Sequence, residues 1–199
     1  MHHLQLEFYG DIPEENEHAL IIANHHTRID WMFVWCLCAR TRRLSTFRIV
    51  LKESLKAVPI VGWLMQSLLY IFLSRKSREK DVQHINNVIT YLASVGQMPT
   101  LLLFPEGTDL APQNLEKSKA FSEEKGLTHY RNVLHPKTKG FYHALNCMRK
   151  EIDAVYDLTM AYKFLFFHFF ILCSFCVHFF LLLVLAVKGT TNQVNDLQS

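Results

Sequence analysis

The stretch "ALIIANHHTRIDWMFVW", residues 19–35, decides the fold. Its first five residues are apolar without interruption, as a strand covered on both faces requires, and residues 31–38 are apolar over a helical length. Between them stand Asn24, His25, His26, Thr27, Arg28 and Asp30. Thr27 is a plausible N-cap, which places Asp30 in the first helical turn while His25 stays in the loop. That turn lets His25 and Asp30 face each other. A carboxylate on one imidazole nitrogen fixes the tautomer and leaves the other nitrogen basic, the wiring of a general base.

Outward from the knot, strand-like and helix-like segments alternate. Residues 101–104 form a second buried apolar run that ends in Pro105, Glu106 and Gly107, and "AVYDLTMA", residues 154–161, reads as a further strand. Residues 60–73 have helical length, and 81–95 carry apolar residues at 82, 85, 88, 89, 92 and 95, an i, i+3, i+4 pattern. Residues 111–125 are polar and read as an exposed loop or surface helix. The expected class is α/β: a mixed, largely parallel sheet flanked by helices, with chemistry gathered at the carboxyl ends of strands.

Half of the 199 residues are hydrophobic, which suits one domain with a sizeable core, and they are unevenly spread. Residues 164–187, "FLFFHFFILCSFCVHFFLLLVLAV", contain no Asp, Glu, Lys, Arg, Gly or Pro. About 20 such residues cross a bilayer core, so a transmembrane helix is expected there, after a domain at 1–163 and before a polar tail at 188–199. It is not an N-terminal signal peptide. Arg149, Lys150 and Lys163 precede it and only Lys188 follows, which puts the main domain on the cytosolic side.

The net charge of +3 gives no case for nucleic acid. Arg40, Arg42, Arg43, Arg48, Lys52 and Lys56 form one basic cluster and Arg75, Lys76, Arg78 and Lys80 another; each reads as a solvated face or a contact for anionic lipid. Five cysteines without framework spacing fit a reducing compartment. Cys173 and Cys176, inside an apolar run, make a poor metal cage. No Ser or Cys sits in a Gly-x-Ser-x-Gly elbow, so the hydroxyl to be activated belongs to a substrate. At "LLLFPEGTD", residues 101–109, Glu106, Gly107 and Thr108 offer backbone N–H groups, a hydroxyl and a carboxylate to a polar ligand.

His25-x4-Asp30, "KESLKAVPIVG" (52–62), "YIFLSRK" (70–76), "FPEGTD" (104–109) and "AVYDLTMAY" (154–162) resemble, in order and spacing, the motif blocks of the glycerolipid acyltransferases. "NHHTRIDW", "FPEGTDL" and "VLHPKTKGF" (133–141) look most like the lysocardiolipin acyltransferase group, and Asp109 stands where most lysophosphatidic acid acyltransferases carry Arg. The resemblance implies an acyl-CoA-dependent transfer to a lysophospholipid, with acyl-CoA as co-substrate and no metal or redox cofactor. His25 is then the base and Asp30 its orienting partner. Glu106, Gly107 and Thr108 line the acceptor site, Arg75 and Lys52 contact phosphate, and His26 is a packing or loop residue. It also implies an association with the bilayer, at the endoplasmic reticulum.

At both ends the chain departs from the family pattern. The His25 block comes early, and after Tyr162 the sequence passes into eight Phe between 164 and 180, such as a T-rich retained intron encodes. An inactive membrane-anchored fragment, a lipid-binding or assembly subunit, and a metal-dependent hydrolase using His25, His26 and Asp30 stay open as alternatives.

Overall fold

Five strands form: β1 (Ala19–Ala23), β2 (Phe47–Lys52), β3 (Ile71–Leu73), β4 (Thr100–Leu103) and β5 (Ala154–Leu158). In this computed structural model, which describes residues 7–161, they make one sheet in the order β3-β2-β4-β1-β5. Every pairing is parallel, so the antiparallel component allowed by a mixed sheet is not found among the described residues. The register sets Ile21 beside Leu102 and Leu102 beside Ile49. All three are fully buried, which is why β1 and most of β4 read as continuous hydrophobic runs.

Parallel strands need crossovers, and helices supply them: α1 (Asp30–Arg40), α2 (Val61–Ser67), α3 (Arg78–Ser94), α4 (Pro112–Lys125) and α5 (Thr138–Met148), with a 3₁₀ turn at Glu53–Ala57. Ile85, Val88 and Ile89 of α3 and Phe141, Ala144, Leu145 and Met148 of α5 pack with Leu20, Val50, Ile71, Leu101 and Leu103 of the sheet. Burial of this kind is worth about 25 cal/mol per Å² of apolar surface. It fixes which way each strand faces, because a one-residue slip would turn every side chain over.

Several expectations shift. Residues 60–73 are not one helix: α2 ends early and β3 follows. Leu69, at φ 55°, is the left-handed C′ residue of a Schellman closure, its N–H bonded to Gln66 O and that of Tyr70 to Met65 O. Glycine is the usual residue there, so its absence hid the break. Thr27 is not an N-cap, since α1 begins at Asp30 with Ile29 before it. Residues 111–125 resolve into helix α4 rather than loop.

The first basic cluster is not one solvated or lipid-facing surface. Arg43 is 2% exposed and donates to Thr100 Oγ1 at 3.0 and 2.6 Å, and to Glu14 O. Arg48, 6% exposed and inside β2, donates to Ser45 O and Phe47 O. Burial draws both guanidinium groups below their ordinary range. Among the described residues no helix is long and apolar enough to cross a membrane; the span at 164–187 and the tail after it lie outside them.

Candidate active site

Since all strands run one way, the loops that follow β1, β2, β3, β4 and β5 emerge at one edge of the sheet. The loop after β1 carries the knot. Asn24 ties it to the exit of β5: its Nδ2 donates to Met160 O at 3.0 Å and its Oδ1 accepts the Met160 N–H at 2.7 Å. The His25 N–H donates to Glu106 Oε1 at 2.7 Å, and His25 O accepts the Leu110 N–H at 2.9 Å. The imidazole stacks on Phe104, with ring centres 4.4 Å apart. Residues that follow β4 therefore hold both the backbone and the ring of His25.

His25 Nδ1 and Asp30 Oδ2 lie 3.0 Å apart. Asp30 has no solvent exposure, and an isolated buried carboxylate is costly. Here it accepts the Thr27 N–H at 2.9 Å and the Thr27 hydroxyl at 2.6 Å in addition to the imidazole. Thr27 thus serves the carboxylate rather than the helix end. Because an ionised carboxylate only accepts, the proton between the pair sits on Nδ1 and the Nε2 lone pair is left for a ligand. The His25 side chain keeps 19% exposure, so a cleft ligand can reach it.

Glu106 is buried, and both its oxygens are engaged by backbone: Oε1 by His25 and Oε2 by the Leu134 N–H at 2.8 Å. Its influence on the site runs through the position of those two segments. Gly107 takes φ +75°, and its carbonyl accepts Arg75 Nη1 at 2.5 Å. Thr108 Oγ1 donates to Asp109 Oδ1 and accepts from Asn114 Nδ2, both at 3.2 Å. Asp109 pairs with Arg28 at 3.2 Å. Arg75 is itself at positive φ, its loop fastened by Asp81, which accepts the N–H groups of Ser74 and Arg75. Lys52 is exposed at the end of β2, in register with Leu73, and makes no hydrogen bond or ion pair with the turn among the described residues.

Sequence reasoning missed two participants. Lys137 N–H donates to Pro105 O at 2.7 Å, and its ammonium lies 3.4 Å from where a Cβ on Gly107 would stand. Leu134 supplies the second donor to Glu106. Both belong to "VLHPKTKGF", whose basic residues and proline were legible as a motif but not as a wall of the cleft. Arg75 and Lys137 now bracket the Gly107 turn with two cations, a setting for phosphate. Among the described residues no group of three His, Cys, Asp or Glu is placed to hold a metal.

A family model described as Acyltransferase matches residues 5–163. Lysocardiolipin acyltransferase 1 of Mus musculus is 43% identical over 157 residues, 78% of this chain and 42% of that protein. Lysophosphatidylinositol acyltransferase 10 of Caenorhabditis elegans is 36% identical over 165 residues, 81% of this chain and 42% of that one. A probable 1-acyl-sn-glycerol-3-phosphate acyltransferase 5 of Arabidopsis thaliana is 37% identical over 156 residues, 78% and 41% of the two chains. The aligned part spans about two fifths of the length of these relatives. No solved structure matches.

Proposed function

The chain belongs to the acyltransferase family, and from that premise we propose that it moves a fatty acyl group from acyl-CoA to the free hydroxyl of a lysophospholipid. The observation that carries the reading is the 3.0 Å contact of His25 with a fully buried Asp30 at the carboxyl edge of the sheet. His25 Nε2 takes the proton of the acceptor hydroxyl as its oxygen attacks the thioester carbonyl. Asp30 steadies the imidazolium that forms. The tetrahedral intermediate then collapses, the C–S bond breaks, and the imidazolium returns its proton to the CoA thiolate. The products are a phospholipid ester and free CoA.

Arg75 and Lys137 are suited to phosphate, whether of the lysolipid headgroup or of CoA. Asp109 is committed to Arg28 and lends no positive charge at the turn, which favours an acceptor whose phosphate is already esterified, such as lysocardiolipin or lysophosphatidylinositol. Lysocardiolipin acyltransferase 1 and lysophosphatidylinositol acyltransferase 10 are named for such acceptors, whereas the Arabidopsis relative is named for a phosphomonoester.

The test is transfer of labelled oleoyl from oleoyl-CoA to a panel of lysophospholipids, in membranes expressing this chain or its His25→Ala variant. General base catalysis contributes a factor of about 100 to 10,000, so transfer should fall by that much in the variant. Equal transfer by the two chains would remove His25 from the chemistry. Absence of transfer by the unaltered, folded chain would sink the enzymatic reading.

A further inference from the structure

The segment between β2 and β3 holds the densest run of exposed apolar side chains in the described chain: Leu55, Val58, Ile60, Trp63 and Leu69, with Ile60 at 53% and Trp63 at 66% exposure. Single exposed apolar residues are ordinary, whereas a cluster on one element marks an interaction site. All but Leu69 sit on a hairpin made of the 3₁₀ turn, the link after it and α2. A Cβ on Gly62 would lie 2.4 Å from Lys56 O and 2.6 Å from Leu55 O, and the Gly62 N–H donates to Val58 O at 2.8 Å. The first turn of α2 is thus seated on the carbonyls of the 3₁₀ turn.

Its tip is strained outward. Ile60 has φ 63° and ψ −60°, and the Val61 N–H reaches back to Pro59 O at 2.7 Å, a γ-turn in its rarer, positive-φ form. A β-branched residue in that region is an outlier, and strain of this kind persists where function uses it. The consequence is an isoleucine held in solvent. The 3₁₀ turn follows the carboxyl end of β2, so the tip stands at the edge of the sheet where the loops of β1 and β4 carry His25 and Gly107.

The charge around the hairpin is one-sided. From residue 54 to 77 there is no Asp or Glu, while Lys56, Arg75 and Lys76 fall within it and Lys52 and Arg78 flank it. Of the acidic residues that border it, Glu53 is paired with Lys56 at 3.6 Å and Asp81 is bonded to the backbone of Ser74 and Arg75. A tryptophan and aliphatic tips framed by cations match a negatively charged headgroup layer over an apolar acyl boundary.

We propose that the hairpin of residues 53–67 inserts into the interface of an anionic bilayer and docks the mouth of the site onto it, so that lipid substrates reach His25 by lateral diffusion. The inference rests on the reading of the acceptor as a bilayer lipid. It places Trp63 and Ile60 at the depth of the acyl boundary and Lys56 and Lys76 at the phosphates.

The full chain, reconstituted in vesicles of phosphatidylcholine with phosphatidylglycerol, tests it by photo-crosslinking from benzoylphenylalanine placed at position 63 or, as control, at the exposed Phe121 of α4. Lipid adducts should dominate at 63, exceed those at 121 severalfold, and weaken when the anionic lipid is left out. Adducts at 63 to peptide from this chain or a second copy, or lipid adducts no greater than at 121, overturn the proposal. A second arm uses Ile60→Gly with Trp63→Ser; glycine takes a positive φ without the steric cost of a side chain, so the fold is spared. Transfer to lysophosphatidylinositol embedded in the vesicles should fall about tenfold, with transfer between short-chain, water-soluble donor and acceptor unchanged. Equal effects on both acceptors, whether absent or large, overturn it. An unaltered chain that is inactive on both acceptors sinks the acyltransferase reading instead, and crosslinking still decides the docking surface.

Discussion

At the amino end of the sheet Arg43 is 2% exposed, and its guanidinium is consumed by Thr100 and Glu14. At the carboxyl end Asp30 is fully buried and engaged by Thr27 and His25, but its partner His25 keeps 19% of its side chain exposed. Both ends sink an ionisable group between apolar runs. What separates scaffold from site is where the hydrogen-bond network ends: the arginine's closes on backbone and hydroxyl acceptors, whereas the aspartate's runs to an imidazole that is partly exposed to solvent.

The sharpest way to break this comparison is Asp30→Asn. An amide can present its NH₂ to Nδ1 and select the wrong tautomer, so transfer should drop by about 100- to 10,000-fold, near the loss in His25→Ala. The double variant should then be little worse than either single one, since the two groups act as a unit. Additive losses would show that Asp30 serves only the fold. At the other end, Arg43→Ala should lower stability by about 2 to 4 kcal/mol through lost packing and hydrogen bonds. Thermal unfolding reads that loss, and the specific activity of the folded fraction should stay level. A fall in kcat at full stability would contradict the scaffold role.

Glu106 lies between these extremes, buried like a scaffold group yet bonded to the backbone of the base. In Glu106→Gln one of the two acceptors becomes a donor facing a backbone N–H, a mismatch of about 1 to 3 kcal/mol. As a positioning residue it should lower kcat by about 5- to 100-fold with KM for acyl-CoA little changed. A rise in KM for the acceptor with kcat intact would instead mean that Glu106 touches substrate, as the sequence alone suggested.

How much of this was legible depended on whether the signal was local. β1 and α3 follow from apolar runs and helical spacing, and the His25–Asp30 contact from the shortness of the polar loop between two apolar runs. β2 was lost because Arg48 and Lys52 read as a basic patch, although Arg48 turns its charge onto nearby carbonyls. The double engagement of Glu106 joins segments about 80 and 28 positions away along the chain, and no periodicity reports a contact at such separation.

Lys137 is the smallest of the tests and bears on the most distant of these contacts. Its ammonium stands over the Gly107 turn on the side of the 133–137 segment, and Arg75 reaches the same turn through its carbonyl. One cation is committed to a backbone oxygen; the other is held only by its stem. An exposed lysine contributes modestly, so Lys137→Gln should raise KM for the phosphate-bearing substrate by less than about tenfold and leave kcat nearly unchanged. Added salt should weaken binding to the unaltered chain more than to the variant, because screening acts on a charge the variant lacks. If KM and its salt dependence stay the same, the mouth of the cleft draws its phosphate contact from Arg75 alone, and the wall supplied by residues 133–137 matters for holding Glu106 rather than for recognising the ligand.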